Sequence, residues 1–169
     1  IPVSNTPGVL TNATSDMAWA LLFSAARRVV EADKFTRAKK FKGWDPMLML
    51  GQEITNKTLG VIGTGRIGTA FALKSKGFEM DVLYYSRKRN KKLENELNAK
   101  FADFDELLEK SDFISVHLPL IPETKHFIGE KEFKKMKNTA VFINTSRGPI
   151  VDEKALIQAL KENWIFAAG

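Results

Sequence analysis

From residue 58 onward the chain alternates short apolar segments with segments of helical periodicity, and this alternation limits its fold more than any other feature. Strands separated by helices of about ten residues form βαβ units with right-handed crossovers. The pattern therefore predicts an α/β fold with a parallel sheet that carries helices on both faces. The predicted strands are TLGVIG, MDVLYY, DFISVHL, TAVFINT and the beginning of WIFAAG, with KFAD as one more brief strand.

The segment before this alternation predicts a helix of unusual length. Residues 11–40 contain apolar side chains spaced by three or four positions from Met17 to Val29, which indicates one helical face. Ser15 or Asp16 is a suitable N-cap. We therefore expect one long N-terminal helix, followed by a loop up to the first strand.

A glycine-rich loop follows the first predicted strand directly and begins a predicted helix. In this context a GxGxxG pattern binds a dinucleotide, because its glycines allow a tight turn, close approach of a pyrophosphate and close packing of helix on strand. The free N–H groups and the dipole of the helix N-terminus favour the negative charge. The sequence thus predicts a Rossmann-type, doubly wound domain over residues 1–169. The loop consists of Gly63, Thr64, Gly65, Arg66, Ile67 and Gly68.

A basic run follows the second predicted strand, where NAD sites usually have an acidic residue that binds the ribose 2′-hydroxyl. Ser86 occupies that position, and the nearest upstream acid, Asp81, belongs to the opposite end of the strand. Without a carboxylate, a 2′-phosphate could bind Ser86, Arg87, Lys88 and Arg89. NADP(H) is therefore favoured and NAD(H) is possible. Two alternatives stay open: Ser86 serves either ribose, or the run is a solvated loop.

Composition narrows the remaining classes of function. The chain has no cysteine, which favours a reducing, cytoplasmic setting and excludes thiolate metal sites and thiol nucleophiles. Two separated histidines suggest no metal site. The net charge is +6, but no nucleic-acid-binding motif accompanies it, so anionic small molecules are the expected partners. No apolar run approaches the ~20 residues that a membrane span requires.

Three motifs in this order resemble the D-isomer-specific 2-hydroxyacid dehydrogenases: NKTLGVIGTGRIG, HLPLIPETKHFIG and FINTSRGPIVDEKALIQAL. Together with YYSR at the end of the second strand, they are most similar to the glyoxylate/hydroxypyruvate reductase branch. The resemblance covers essentially the whole chain. It implies hydride transfer between NADPH or NADH and a small 2-oxo acid or D-2-hydroxy acid.

The resemblance also implies roles for individual residues. Arg147 corresponds to the catalytic arginine, which holds the carboxylate and carbonyl oxygen of the substrate, a task that suits a planar bidentate guanidinium. Thr64, Gly65, Arg66 and Ile67 correspond to pyrophosphate contacts. The other implied cofactor contacts are Leu118, Pro119, Thr124, Thr145 and Ser146.

The family's general acid/base histidine and the glutamate that orients it belong after the last predicted strand. We therefore expect these 169 residues to be a piece of a longer protein without its substrate-binding domain, able to bind cofactor but not to reduce 2-oxo acids. His117 and His126 do not match the position of the proton donor. The resemblance further implies a homodimer formed through the N-terminal helix region. An alternative on the same fold is a cofactor-sensing interaction module, similar to a co-repressor.

Overall fold

Six strands form in the computed structural model, which describes residues 1–169, and each begins at or within a segment predicted as a strand. All neighbouring strands are parallel. Each of the five connections between successive strands contains a helix, as the βαβ pattern requires. The strands are β1 (Thr58–Ile62), β2 (Asp81–Tyr85), β3 (Lys100–Phe101), β4 (Phe113–Val116), β5 (Val141–Asn144) and β6 (Ala167–Ala168).

The order of the strands in the sheet is β3-β2-β1-β4-β5-β6. This is the Rossmann order, in which the chain runs outward in one direction from β1 and then returns to build the other half from β4. Leu59 lies opposite Val82 of β2 on one side and Phe113 of β4 on the other. The carboxyl ends of β1 and β4 thus form the switch point, where open α/β sheets bind ligands. The predicted fold class is confirmed.

Six of the seven helices lie on the sheet and create two apolar layers, whereas the helix Val29–Arg37 buries none of its residues. Alternate side chains of a strand point to opposite faces, so Leu59 and Val61 pack in one layer while Ile62 packs in the other. The helices are α1 (Thr11–Ala26), α2 (Val29–Arg37), α3 (Arg66–Lys74), α4 (Lys91–Leu97), α5 (Phe104–Lys110), α6 (Glu130–Lys135) and α7 (Glu153–Lys161). The first layer lies under α1, α3 and α4, and the second under α5, α6 and α7.

The prediction of one continuous helix over residues 11–40 is wrong. The chain breaks between α1 and α2, where Arg28 has a left-handed backbone with φ of 54°. Arg28 is held there by its guanidinium, which donates to Glu31 and to the Leu50 carbonyl oxygen. No glycine or proline marks the break, so the apolar spacing alone extended the helix through it.

The predicted cap and buried face of this helix also need correction. Helix α1 begins at Thr11, so Ser15 lies inside it, where it is buried and donates to the Asn12 carbonyl oxygen. Ala18, Trp19 and Leu22 face the sheet, whereas Met17 is 56% exposed. The spacing of long apolar side chains does not identify the core face here, because smaller residues supply much of it. None of the helices is both long enough and apolar enough to cross a membrane.

Candidate functional site

The glycine-rich loop connects the carboxyl end of β1 to α3, and its backbone leaves no space for side chains at two positions. Gly63 has φ of 90°, and a Cβ there would lie 2.6 Å from the His117 carbonyl oxygen. A Cβ on Gly68 would lie 2.0 Å from the Gly63 carbonyl oxygen. The first glycine therefore makes the turn and the third lets α3 approach β1.

The middle glycine differs from the other two, because a Cβ on Gly65 would meet no atom within 4 Å. Gly65 is the N-cap residue of α3, and its N–H has no backbone acceptor. Open space beside free N–H groups and the positive end of a helix fits a pyrophosphate. The residues present therefore fit a dinucleotide at this loop.

A cleft of about 930 Å³ opens from the loop along the carboxyl ends of the strands. Its volume is in the range of small-molecule and cofactor sites. Arg66 and Ile67 line an adjoining hollow of about 450 Å³, together with Asn5 and Thr6 of the N-terminal segment. Of the predicted residues, the larger cleft is lined by Gly63, Thr64, Gly65, Ser86, Arg87, Lys88, Leu118, Pro119 and Thr124.

At the end of β2 the chain supplies hydroxyl and cationic groups to this cleft. Ser86, Arg87 and Lys88 line it, while Asp81 begins β2 at the opposite edge of the sheet. The one carboxylate lining the cleft belongs to Glu123, which comes from the loop after β4. The end of β2 therefore has no acid in the position that usually binds a ribose 2′-hydroxyl.

Arg89 turns away from the cleft. Its Nε donates to Glu94 Oε1 at 2.8 Å, and its guanidinium lies 5.9 Å from the centre of the Phe101 ring. Tyr84 Oη donates to the same carboxylate oxygen at 2.5 Å. The hydrogen bonds from Tyr84 and Arg89 lower the pKa of Glu94, which stays ionised and holds Arg89.

Thr124 lies along the cleft, but its hydroxyl has partners within its own turn. Oγ1 donates to the Pro119 carbonyl oxygen at 2.6 Å and accepts from the Ile121 N–H at 2.9 Å. These bonds give Thr124 a role in shaping the loop that carries Leu118 and Pro119. Only its remaining lone pair is available to a ligand.

The segment Thr145, Ser146 and Arg147 lies just past the carboxyl end of β5 and outside the two hollows. Ser146 Oγ donates to the Val116 carbonyl oxygen at 2.7 Å, which ties this segment to the end of β4. The Arg147 guanidinium is exposed and has no acidic partner, and its one bond is to the Ser146 carbonyl oxygen. It is therefore free to bind an anion at the edge where ligands bind.

His117 follows β4 and borders both hollows. Its ring packs 4.9 Å from that of Phe71, and its Nε2 lies 2.9 Å from Ser115 Oγ. Burial lowers the pKa of His117 from 6.5 to about 4, because the charged imidazolium is poorly solvated there. His117 is thus neutral at pH 7 and is not in the imidazolium form that a general acid requires. His126 is exposed and lines neither hollow.

Sequence reasoning missed several residues of the cleft. Tyr85 and Phe127 line it, and Phe104 packs against both rings at 5.1 and 4.7 Å to form an aromatic wall. Tyr85 could have been found, because it ends a predicted strand beside Ser86. Phe127 could not, because its place depends on how the loop after β4 folds. No group of three or more acidic, histidine or cysteine side chains is arranged to hold a metal ion.

Comparison with known proteins identifies the family. Residues 19–169 match the family described as D-isomer specific 2-hydroxyacid dehydrogenase, NAD binding domain. The chain is 56% identical to a glyoxylate reductase from Thermococcus litoralis and 54% identical to one from Korarchaeum cryptofilum. All of this chain is covered, against 52% and 51% of those proteins. It thus spans about half the length of the curated relatives it matches.

Solved structures agree with this relationship. The TT0316 protein from Thermus thermophilus superimposes with a TM-score of 0.93 at 42% identity, covering 100% of this chain and 52% of that one. D-lactate dehydrogenase with NAD+ from Lactobacillus jensenii gives a TM-score of 0.89 at 37% identity, covering 100% and 50%. The chain therefore belongs to the D-isomer-specific 2-hydroxyacid dehydrogenases and contains their NAD-binding domain.

Proposed function

We propose that the chain binds NADPH in preference to NADH and is the cofactor-binding part of a reductase of small 2-oxo acids such as glyoxylate or hydroxypyruvate. The observation that carries the cofactor preference is the end of β2, where Ser86, Arg87 and Lys88 line the cleft without a neighbouring carboxylate. A serine hydroxyl and two cations suit a 2′-phosphate, whereas a 2′-hydroxyl gains little from them. Arg89 does not contribute in this arrangement, because Glu94 holds it.

The phosphate loop is the common part of the site. Gly65 offers its free N–H and open space to the pyrophosphate, and Thr64, Arg66 and Ile67 adjoin it. Leu118 and Pro119 form the facing wall, and Thr124 keeps that wall in place. Thr145 and Ser146 belong to the nicotinamide end of the proposed site.

In this proposal Arg147 is the catalytic residue that anchors the substrate. Its exposed, permanently charged guanidinium can hold the carboxylate and the carbonyl oxygen of a 2-oxo acid and so stabilise the forming alkoxide. A bound reduced nicotinamide cofactor supplies the hydride. We propose that the proton comes from a histidine outside residues 1–169, in a longer protein that also carries a substrate-binding domain. Neutral His117 is unsuited to that role.

The same proposal includes a homodimer formed through the N-terminal helix region. Large apolar side chains are exposed there, including Leu10 at 68%, Met17 at 56% and Trp44 at 85%. Side chains of this kind gathered along one segment are typical of a surface that another subunit covers. The cytoplasmic location expected from the cysteine-free sequence is also part of the proposal.

Isothermal titration calorimetry with NADPH and NADH tests the cofactor preference. None of the three tryptophans lines the cleft, so a heat signal is preferable to protein fluorescence. We expect NADPH to bind at least about tenfold more tightly, a difference of about 1.4 kcal/mol. The Arg87→Gln and Lys88→Gln variants should have a lower affinity for NADPH and an unchanged affinity for NADH. Lys91→Gln is the matched control, because Lys91 belongs to the same basic run but lies outside the cleft.

The two possible failures have different meanings. Equal affinities for the two cofactors would show that Ser86, Arg87 and Lys88 are a solvated loop, and the NADPH preference would be withdrawn. Absence of binding by either cofactor would refute the site itself.

A further inference from the structure

Asn90 joins the two loops of the proposed cofactor site. Its side-chain Nδ2 donates to Thr69 Oγ1 at 2.8 Å and to the Thr64 carbonyl oxygen at 3.2 Å. Its Oδ1 accepts from the Leu93 N–H at 3.2 Å and so caps α4. Its own N–H donates to Tyr84 Oη at 2.9 Å. Asn90 therefore connects the start of α4 to the phosphate loop through its side chain and to the end of β2 through its backbone N–H.

These bonds fix the plane of the peptide between Thr64 and Gly65. The Thr64 carbonyl oxygen accepts from Asn90 and also from Thr69 Oγ1, at 3.0 Å. All peptide bonds of the chain are trans, and in a trans peptide the C=O and the N–H point in opposite directions. Holding the carbonyl toward Asn90 therefore turns the Gly65 N–H away from it.

The Gly65 N–H lies on the side of that peptide that is open to a ligand. Gly65 lines the large cleft, its N–H has no backbone acceptor, and no atom lies near its absent side chain. A glycine in this position is free to rotate, so an external restraint is needed to keep its N–H pointed at a ligand. Asn90 and Thr69 supply that restraint from behind the loop.

We propose that Asn90 is a positioning residue, which orients the Thr64–Gly65 peptide toward the cofactor pyrophosphate and ties the phosphate loop to the segment carrying Ser86. This inference rests on the proposed cofactor site. The task requires a side chain that donates on one side and accepts on the other. An amide does both, whereas a carboxylate only accepts and an ammonium only donates.

The inference predicts an effect common to both cofactors, because the pyrophosphate is common to both. In the Asn90→Ser variant the serine retains an oxygen that can cap α4 but is too short to reach Thr64. We expect the Kd of NADPH and of NADH to rise by the same factor, about three- to tenfold, as for the loss of one or two hydrogen bonds. The Thr69→Val variant should raise both Kd values by a similar factor, whereas Thr69→Ser should bind both cofactors like the native chain, because serine keeps the hydroxyl.

Asn98→Ser is the matched control for a purely structural effect. Asn98 ends α4 in a left-handed conformation with φ of 52°, which serine tolerates less well, and it does not contact the phosphate loop. This variant should lower thermal stability without changing either Kd. If Asn90→Ser behaves like Asn98→Ser, Asn90 is only a helix cap and the inference is overturned.

A second measurement does not depend on cofactor binding. In 15N relaxation experiments on the free chain, the order parameter of the Gly65 amide should fall in Asn90→Ser and in Thr69→Val. An unchanged order parameter in both variants would overturn the inference. If Asn90→Ser does not fold, Thr69→Val carries both tests. If neither cofactor binds the native chain, the proposed function fails, while the order of Gly65 still decides the role of Asn90.

Discussion

Acidification should destabilise the chain through His117, well above the pH at which carboxylates begin to protonate. The ring is half-buried between Phe71 and Ser115, and burial lowers its pKa from 6.5 to about 4. The unfolded chain therefore takes up a proton at a higher pH than the folded chain does. The neutral His117 ring makes its full contribution to the free energy of unfolding above pH 6.5. This contribution is lost progressively as the pH falls toward 4.

The size of the effect follows from these two pKa values. Between pH 7 and pH 5 the unfolded histidine becomes almost fully protonated while the folded one stays mostly neutral. The free energy of unfolding should then fall by about 2 kcal/mol. That is a substantial share of the 5–15 kcal/mol typical of a folded domain. Below pH 5, protonation of Glu94 and Asp105 adds to the loss, because the pKa of each is lowered in the folded chain.

Urea unfolding at pH 7, 6 and 5, followed through the fluorescence of buried Trp19, measures this loss. A His117→Gln variant should lose about 2 kcal/mol less than the native chain over the same interval, because its amide does not titrate. The matched control is His126→Gln. It removes the only other histidine, which is exposed, and keeps His117. The reasoning would be refuted if the free energy of unfolding fell equally with pH in the native chain and in His117→Gln. An NMR titration midpoint of His117 near 6.5 would refute it as well.

Two further predictions concern contacts at the two ends of the central strand β1. Gly68→Ala should lower the free energy of unfolding by about 2 kcal/mol and weaken cofactor binding, because its Cβ would lie 2.0 Å from the Gly63 carbonyl oxygen. Calorimetry and thermal unfolding measure both effects, with Gly77→Ala as the control, because a Cβ at Gly77 meets nothing within 4 Å. Equal stability and equal cofactor affinity in the two variants would contradict the prediction. Asp112 accepts from the first N–H of β1 at 2.9 Å and from Lys137 at 2.8 Å, so Asp112→Ala should cost about 2 kcal/mol in urea unfolding, whereas Lys137→Met should cost less than about 1 kcal/mol. A loss as large in the lysine variant would show that the ion pair, and not the bond to β1, stabilises the start of this strand.

Much of the fold could be predicted from the sequence because its local signals agree. The apolar segments are short, each is followed by a helical pattern, and the glycine-rich loop identifies the first strand of a Rossmann sheet. The site at the carboxyl ends of β1 and β2 follows from that topology. For this reason the sequence alone is enough to assign Ser86, Arg87 and Lys88 to the cleft.

The remaining features depend on contacts that local patterns do not encode. Arg89 belongs to the same basic run as Arg87, but it pairs with Glu94, one turn into α4, and turns away from the cleft that Arg87 lines. Asn90 interrupts that run in the sequence, although it has more hydrogen bonds to the rest of the site than its basic neighbours. The break at Arg28 has no glycine or proline to announce it, because a tertiary contact with the Leu50 carbonyl stabilises the left-handed residue.

The strand order has a consequence for how the chain folds during synthesis. Strand β1 is central, and its second neighbour, β4, begins only at Phe113. Until that segment leaves the ribosome, the growing chain presents β1 with one unpaired edge, which is a template for pairing with other chains. Helix α1 packs on α3 and also on β5, so its packing is complete only after β5, which begins at Val141, has been synthesised. Folding therefore depends on contacts between distant parts of the chain and should be slow for a domain of this size.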